Sequence, residues 1–434
     1  MSAWFLSLIF AAGAPVPPPA VAPATPLPSA LPLVRLADLL EEARRKSPEI
    51  YAAREAARAD ATAVEPAHAL DDPMLMVQLW NMPVDLSTIP LMVNLTQSLP
   101  LGGKRAARRD EAQAMAEGSR ATVLTRTRDV EAATAKAFFD LFLADRTITV
   151  DDEIGRTLES LVHAATARLA AGRGEESEVL RAEGEALKVQ SDREAARARR
   201  SAAVAKLVAI LDRAPGSDFG PTAEPGFLDT LPAQDSLRAQ ALQQRPELAA
   251  AGAATGVALA RLRTAEAGPT PDIALSAGEM HMFRSQTSPA DFLFLGVQGN
   301  LPIFSGRNHG RIEAARASVE ATRADARALQ NRVLAEVADA FAEVQAEQRE
   351  IDLHHRLIPV SRQALTSALA SFVAGRGGFA MVLDAERDLQ MHELDLAMHV
   401  TAYAQHLADL ERAVGGDVGL LRAAGTGTSN LHER

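Results

Sequence analysis

The 434-residue chain contains no cysteine. This absence excludes disulfide bonds, thiol catalysis, cysteine-ligated metals and the acylated N-terminal cysteine of a bacterial lipoprotein. Apolar runs of about 18 or more residues are also missing, so no membrane-spanning helix is predicted, and any span would have to be made by β-strands in a closed barrel. The formal net charge of −11, with acidic residues mixed among the basic ones, leaves no concentrated basic face, so no nucleic-acid partner is expected.

Catalytic motifs are missing as well. The sequence contains no HExxH zinc motif, no GxSxG nucleophile motif and no phosphate-binding loop. Gly102-Gly103-Lys104 lacks both the preceding spaced glycine and the following Ser or Thr that such a loop requires. The sequence therefore predicts that the protein is not an enzyme, and it predicts neither a cofactor nor a metal site.

The N-terminal residues are predicted to direct export. An apolar run over 3–12 is followed by the small residues Ala12-Gly13-Ala14, although no Lys or Arg precedes the run. Residues 1–14 are therefore predicted to be a signal peptide, and 15–30 a linker rich in Pro and Ala.

One turn occurs twice in the chain. Gly172 and Gly375 stand in identical Ala-Gly-Arg-Gly runs, and Val-Leu and Ala-Glu pairs follow both at the same spacing, with every matched position offset by 203 residues. The chain is therefore a duplication. Each copy lies between two long helical patterns, so we expect a helix that ends at a left-handed glycine, a tight reversal, and a second helix that runs back.

Each repeat begins with a pattern that predicts one uninterrupted helix, over 36–68 in the first and 236–267 in the second. The hydrophobic period then changes to two, which predicts strands over 74–80, 91–99, 272–278 and 293–301. A membrane barrel and a soluble sheet with one face on a core give the same alternation, and four strands are too few to close a barrel in one chain.

Both strand pairs end in a proline and a glycine followed by a basic residue. Proline ends a strand because it cannot donate to the ladder, and glycine permits a sharp exit into the next helix. The predicted strand-to-helix junction residues are Pro100, Gly103, Lys104, Pro302, Gly306 and Arg307.

The helices after the strands carry a heptad-like seam. Val130, Thr134, Ala137 and Leu141 are spaced by four, three and four, and the residues 203 positions later keep this spacing. The alanine-rich pattern predicts coiled-coil packing. The stretch 103–172 is long enough for about 105 Å of helix, so we expect two shorter helices, stacked end to end, to run back along it.

The whole pattern resembles the TolC-like outer-membrane efflux factors. The likeness rests on the Gln97-x-Leu99-Pro100 run with Gly103-Lys104, the equivalent Leu301-Pro302 with Gly306-Arg307, and the two tip turns, and it covers roughly 36–415. The charged junctions and the methionines of the strands are most similar to the branch that serves heavy-metal resistance-nodulation-division (RND) pumps.

The resemblance implies a mostly α-helical fold with a small β part. Duplicated long helices would form a helical tunnel, and four strands per chain would contribute to a 12-stranded barrel shared by a homotrimer. The division would be 31–213 and 235–415 as the repeats, 214–234 as an equatorial linker and 416–434 as a tail. The protein would be an exit duct in the outer membrane of a Gram-negative bacterium, in contact with outer-membrane lipid, a periplasmic adaptor and an inner-membrane pump. A soluble periplasmic coiled-coil scaffold is the alternative.

The resemblance also assigns residues to the tips. Asp384 matches an acidic position that rings the constricted entrance in the family, whereas the second such position is Met381, whose counterpart in the first repeat is Glu178. The expected adaptor-contacting residues are Gly172, Arg173, Leu180, Gly375, Arg376 and Leu383. Without the resemblance, the same acidic residues could simply favour the helix dipole, and the same glycines could simply cap helices.

Methionine and histidine are present in the strands and helices, but packing explains them more simply than metal binding. Met74, Met76 and Met92 fall on the polar faces of their strands. His354 and His355 are adjacent on a helix and cannot share a ligand face, so both are predicted to lie at the surface.

Overall fold

A computed structural model describes residues 32–79, 90–228, 230–282, 291–416 and 419. The predicted signal peptide, the Pro/Ala-rich linker and nearly all of the tail lie outside these residues. The helices are α1 (Leu36–Lys46), α2 (Pro48–His68), α3 (Lys104–Ala170), α4 (Glu176–Ile210), α5 (Gln234–Gln244), α6 (Pro246–Ala267), α7 (Ser305–Val373) and α8 (Phe379–Val414). The strands are β1 (Met74–Leu79), β2 (Pro90–Leu99), β3 (Ile273–Met282) and β4 (Asp291–Gly299).

The order of elements confirms the duplication and the mostly α-helical fold. Two short helices, two strands, a helix of 67 or 69 residues and a helix of 35 or 36 residues occur in this order in each half. The two strand pairs join into one antiparallel sheet of order β1-β2-β3-β4.

The prediction of one uninterrupted helix at the start of each repeat is wrong. α1 and α2 are separated at Ser47, and α5 and α6 at Arg245. Both residues precede a proline, and their ψ angles of 123° and 118° are extended rather than helical. The proline ring clashes with a helical residue before it, whereas proline is well suited to the first position of a helix.

The long helices bury the predicted seam. Val130, Thr134, Ala137 and Leu141 of α3 are each at most 4% exposed. At 67 and 69 residues, α3 and α7 are about 100 Å long. Within the part of the chain that the structure describes, no helix combines the length and apolar character needed to cross a membrane.

Shorter helices cover α3 along its length. Near its start, α3 packs against α2 and α6, and nearer its end it packs against α4. Near the start of α3, the contact between α3 and α6 is close, since a Cβ added to Gly256 of α6 would lie 3.3 Å from the Cβ of Ala114. The predicted arrangement of one long helix against shorter helices in series is confirmed.

Two apolar clusters hold the helices together. The larger one joins α1, the middle of α3 and the C-terminal parts of α4 and α8, and it includes Phe219 from the segment between the repeats. That segment also pairs with the N-terminal strand-like residues, since Val34 N donates to Pro221 O at 2.9 Å. The smaller cluster lies at the far ends of α3, α4, α7 and α8.

The sheet has one apolar face, as the alternation predicted. The register places Val77 opposite Val93, and Ala277 between Leu95 and Leu295. This face is open to solvent in the single chain, because Leu295 is 88% exposed. On the other face, Met92 lies opposite Met280. The observed β4 ends at Gly299, two residues earlier than predicted.

The first strand-to-helix junction is bound to the second repeat. Lys104 Nζ donates to Asp272 Oδ1 and to Thr270 O, both at 2.8 Å. Gly102 has a φ of +71°, and a Cβ there would lie 2.5 Å from Thr270 Oγ1, so this position requires glycine. Gly103, with φ +79°, is the N-cap of α3.

The second junction is built differently. α7 already begins at Ser305, so Gly306 lies in its first turn, has no positive φ angle and does not provide the sharp exit that was predicted for it. Two short backbone turns, Ile303 N to Leu301 O and Ser305 N to Ile303 O, carry the chain from β4 into α7. Arg307 is exposed at this junction.

Candidate functional site

The candidate functional site is the pair of tip turns and the helix ends that carry them. Gly172 follows α3 and Gly375 follows α7, with φ angles of +67° and +71°. After each glycine, one amide donates to a carbonyl five residues earlier, which is the Schellman motif. The bonded pairs are Arg173 with Arg168 and Arg376 with Ser371, both at 2.9 Å. The predicted left-handed caps are thus confirmed.

The two tips pack against each other. Arg168 Nη1, near the end of α3, donates to Phe372 O of α7 at 2.5 Å. Its guanidinium carbon lies 4.3 Å from the centre of the Phe372 ring, a cation–π contact. Phe372 in turn meets Phe379 of α8 edge to face, with ring centres 5.6 Å apart. The tip end of the chain is therefore one packed unit of four helices.

The predicted constriction residues differ in their exposure. The side chain of Asp384 is 72% exposed, and its Oδ1 lies 3.9 Å from Arg387 Nη1. Met381 is 59% exposed. Glu178, its counterpart in the first repeat, is half-buried, and its Oε2 is buried without a hydrogen-bond partner among the described residues. Asp384 and Met381 lie at the surface of α8, whereas Glu178 points partly inward.

Most of the predicted contact residues are accessible. The exposed ones are Gly172, Arg173, Leu180, Gly375 and Arg376. Leu383 is the exception, since it is only 4% exposed and belongs to the apolar cluster at the tips. Its predicted place in an accessible patch is wrong, because the side chain packs inward from the first turns of α8. Its counterpart Leu180 is 60% exposed.

A charged network at the tips was missed by the sequence analysis. Arg387 of α8 binds Glu185 of α4, and in the sequence it directly follows Glu386 and lies three residues after Asp384. This ion pair connects the return helices of the two repeats. The contact lowers the pKa of the Glu185 carboxyl, chiefly through the hydrogen bond from Arg387. Helical spacing identifies neighbours within α8, but it does not reveal which residue of α4 faces them.

Glu386 is the unusual member of this network. It is 3% exposed, and its Oε1 has no hydrogen-bond partner in the described structure. Burial, reinforced by the negative charge of Glu185, raises its pKa from an ordinary 4.5 to about 7. A carboxyl of this kind gains or loses its proton near neutral pH. The tip residues belong to none of the histidine and carboxylate clusters that could hold a metal.

Comparison with known proteins assigns the family. A family model described as "Outer membrane efflux protein" matches residues 39–213 and 237–416, which cover both repeats. The chain belongs to the outer membrane efflux protein family. Channels rather than enzymes make up this family.

One curated relative is the cobalt-zinc-cadmium resistance protein CzcC of Cupriavidus metallidurans, which is 26% identical over 298 residues, or 67% of this chain and 69% of the relative. Solved structures share the fold. CusC has a TM-score of 0.77 at 18% identity over 91% of this chain and 98% of its own. The open MtrE channel of Neisseria gonorrhoeae has a TM-score of 0.76 at 22% identity over 88% and 89%.

The raised pKa of Glu386 predicts a pH-dependent stability. Between about pH 4.5 and 7 the folded chain keeps a proton that the unfolded chain releases, so the free energy of unfolding should fall as pH rises through this window. Glu386→Gln should remove this loss and stabilise the protein by about 1–3 kcal/mol at pH 8, with little effect at pH 4. Thermal unfolding followed by circular dichroism at both pH values measures the difference.

The matched control is Glu183→Gln, because Glu183 is the counterpart of Glu386 in the first repeat and is exposed. It should change the unfolding temperature little at either pH. An equal stabilisation by Glu386→Gln at pH 4 and pH 8 would show that the carboxyl does not titrate as described.

Proposed function

We propose that the chain is the exit duct of a tripartite efflux system in the outer membrane of a Gram-negative bacterium. Its substrates would enter from an inner-membrane RND pump and a periplasmic adaptor, and they would leave to the cell exterior. The observation that carries the proposal is the family match across both repeats, on a chain whose long helices adjoin a sheet with an exposed apolar face.

The sheet supports assembly from several copies. β2 pairs with β1 and β3, whereas β1 and β4 each have one partner strand among the described residues. The duplication suggests what completes them. As β2 of the first repeat pairs with β3 of the second, β4 would pair with β1 of a neighbouring copy, and three copies would supply twelve strands.

Like strand β4, the long helix of the second repeat has an outer side that is incompletely covered among the described residues. α3 packs against α2 of its own repeat and α6 of the next, whereas α7 packs extensively against α6 alone in that region of the described chain. The α3 residues Ala107, Ala114 and Ala121 are at most 9% exposed. Their α7 counterparts Gly310, Ala317 and Ala324 are exposed. This small-residue seam would receive α2 of the neighbouring copy.

The junctions predict a specific contact between copies. Lys104 binds Asp272, just before β3, at 2.8 Å. Arg307 is the counterpart of Lys104, and in the neighbouring copy Asp72 is an exposed carboxylate two residues before β1. Because the chain has no cysteine, Asp72→Cys with Arg307→Cys should be joined by a short thiol-specific crosslinker only between copies. Denaturing gels should then show dimers and trimers.

Two further pairs of cysteine substitutions serve as controls for this crosslinking experiment. Lys104→Cys with Asp272→Cys should crosslink within the chain and leave its apparent mass close to that of the monomer. Asp72→Cys with Arg311→Cys uses an exposed arginine one turn further along α7 and should give a weaker ladder. Equal ladders from the Arg307 and Arg311 pairs, or none from the Arg307 pair, would contradict the proposed register.

The constriction is proposed to be cation-attracting. Asp384 is exposed near the tip of α8, and a threefold ring of carboxylates would raise the local cation concentration and resist anions. Arg387 would moderate this charge, and Glu178 would add to it. Asp384→Asn should lower the cation selectivity and the divalent-cation block of single channels in planar bilayers. Asp388→Asn, at another exposed aspartate of α8, is the control.

The size of the selectivity change separates the two interpretations of Asp384. If Asp384 only favours the helix dipole, Asp384→Asn channels should keep the ion selectivity of the wild type. That result would remove Asp384 from the constriction while leaving the duct intact.

The exposed tip arginines are proposed to contact the adaptor. Gly375 is a poor position for testing this, because its φ of +71° would strain any side chain. Arg173→Glu and Arg376→Glu preserve the turns and reverse the charge that faces solvent. Each should reduce co-purification of the adaptor about tenfold or more, since like charges at an interface are strongly unfavourable. Arg327→Glu, at an exposed arginine far from the tip on α7, should not.

Metal resistance of a deletion strain that is complemented with the same variants tests which substrate the proposed duct carries. The name of the CzcC relative supports divalent metal cations such as cobalt, zinc and cadmium. A strain that lacks this chain but keeps its pump and adaptor should lose resistance to these cations, and the wild type and Arg327→Glu should restore it. Full restoration by Arg173→Glu with Arg376→Glu would contradict the adaptor assignment, and no loss on deletion would contradict the metal substrate.

A further inference from the structure

A cluster of three histidines lies between α7 and α8, away from the tips. His354 of α7 is 6% exposed. Its ring centre lies 5.4 Å from that of His392 and 5.3 Å from that of His399, both on α8. About 28 Å of helix separates His354 from the end of α7, so the cluster is distinct from the constriction and contact residues.

Carboxylates complete the cluster. His354 belongs to two sets of three residues, and within each set the three possible ligand atoms lie within 4.8 Å of one another. The sets are Glu350 with His354 and His399, and His354 with His392 and Asp395. Glu350 precedes His354 by one helical turn, and Asp395 lies between the two histidines of α8, so both helices present their groups to the shared seam.

The hydrogen bonds at the cluster leave ligand positions open. The Nδ1 atoms of His354 and His392 are buried and have no hydrogen-bond partner within the described chain. An unpaired buried polar atom is costly, so a simple packing role does not account for two of them side by side.

His399 has the arrangement expected of an oriented ligand. Its Nδ1 lies 2.7 Å from a carboxylate oxygen of Glu347. A carboxylate that holds one ring nitrogen directs the other nitrogen toward a metal and increases its basicity. Glu347 is thus a positioning residue for His399. Glu350 is exposed, so an ion can reach the cluster from solvent.

We propose that this cluster is a binding site for one divalent transition-metal ion of the zinc and cobalt class. His354 would be the shared ligand, in a site completed either by His399 and Glu350 or by His392 and Asp395. Imidazole and carboxylate are the donors that suit these ions, and a site on two helices would fasten α8 to α7. The site does not depend on the proposed function, because binding is a property of the purified chain whatever the duct carries.

The structure corrects the sequence prediction here. His354 was expected at the surface, yet it is buried, whereas His355 is half-buried. The prediction considered His354 only together with His355, its neighbour in the sequence. The relevant partners lie on α8, where His392, Asp395 and His399 follow one another at helical spacing.

Binding of Co²⁺ to the full-length protein in detergent tests the site directly. After removal of any histidine tag and treatment with a chelator, titration with Co²⁺ alone should develop the visible absorption of a low-coordinate cobalt–imidazole site and saturate at one ion per chain. Excess Zn²⁺ should abolish the signal. His354→Gln should weaken binding about tenfold or more. A second variant identifies the set: His392→Gln should weaken binding if Asp395 completes the site, whereas Glu347→Gln should weaken it about 10–100-fold, through the position of His399, if Glu350 does.

The control variant is His355→Gln, the neighbouring histidine outside both ligand sets. It should bind Co²⁺ as the wild type does, and all variants should keep the wild-type circular dichroism spectrum. Zn²⁺ should raise the unfolding temperature of the wild type and His355→Gln but not of His354→Gln. Absence of saturable binding to the wild type, or equal loss in His355→Gln and His354→Gln, would overturn the proposal.

Discussion

A helix of about 100 Å must be covered along its whole length, and this requirement organises the chain. No single helix of ordinary length covers α3, so α4 packs against its distal part and α2 and α6 against its proximal part. Small residues make the fit close, since Gly256 and Ala114 bring two helix backbones together. The break at Arg245 fits the same scheme. Its buried guanidinium lies 2.5 Å from Glu336 of α7, which anchors the interruption to the next long helix.

The duplication extends this packing beyond one chain. Three contacts between the first and second repeats have an incomplete counterpart at the outer side of the second repeat among the described residues. These counterparts are β4 at the sheet, Gly310, Ala317 and Ala324 on α7, and Arg307 at the junction. The apolar face of the sheet is likewise exposed, with Leu295 88% accessible. An extended molecule with these surfaces is suited to assembly with copies of itself, which is the basis of the proposed duct.

Local patterns predicted much of the fold. The buried seam, the alternating strands and the glycine-terminated tips depend on neighbours within a few residues, and the residues themselves reveal them. The helical period continues through Ser47 and Arg245 and does not reveal the breaks there, which the following prolines impose. The burial of Leu383 is likewise absent from the local pattern, because it depends on four helices that meet at the tips. The constriction and contact assignments came from the family resemblance and not from these patterns.

The sequence by itself determined the duplication, the order of elements and the absence of thiol chemistry, because these follow from composition and from repeated local patterns. Only the tertiary structure decided which side chains from different helices meet. The raised pKa of Glu386 depends on burial and on Glu185 of another helix, and the cluster around His354 unites residues of α7 and α8. Burial and electrostatic coupling act through space, so helical spacing alone does not encode them.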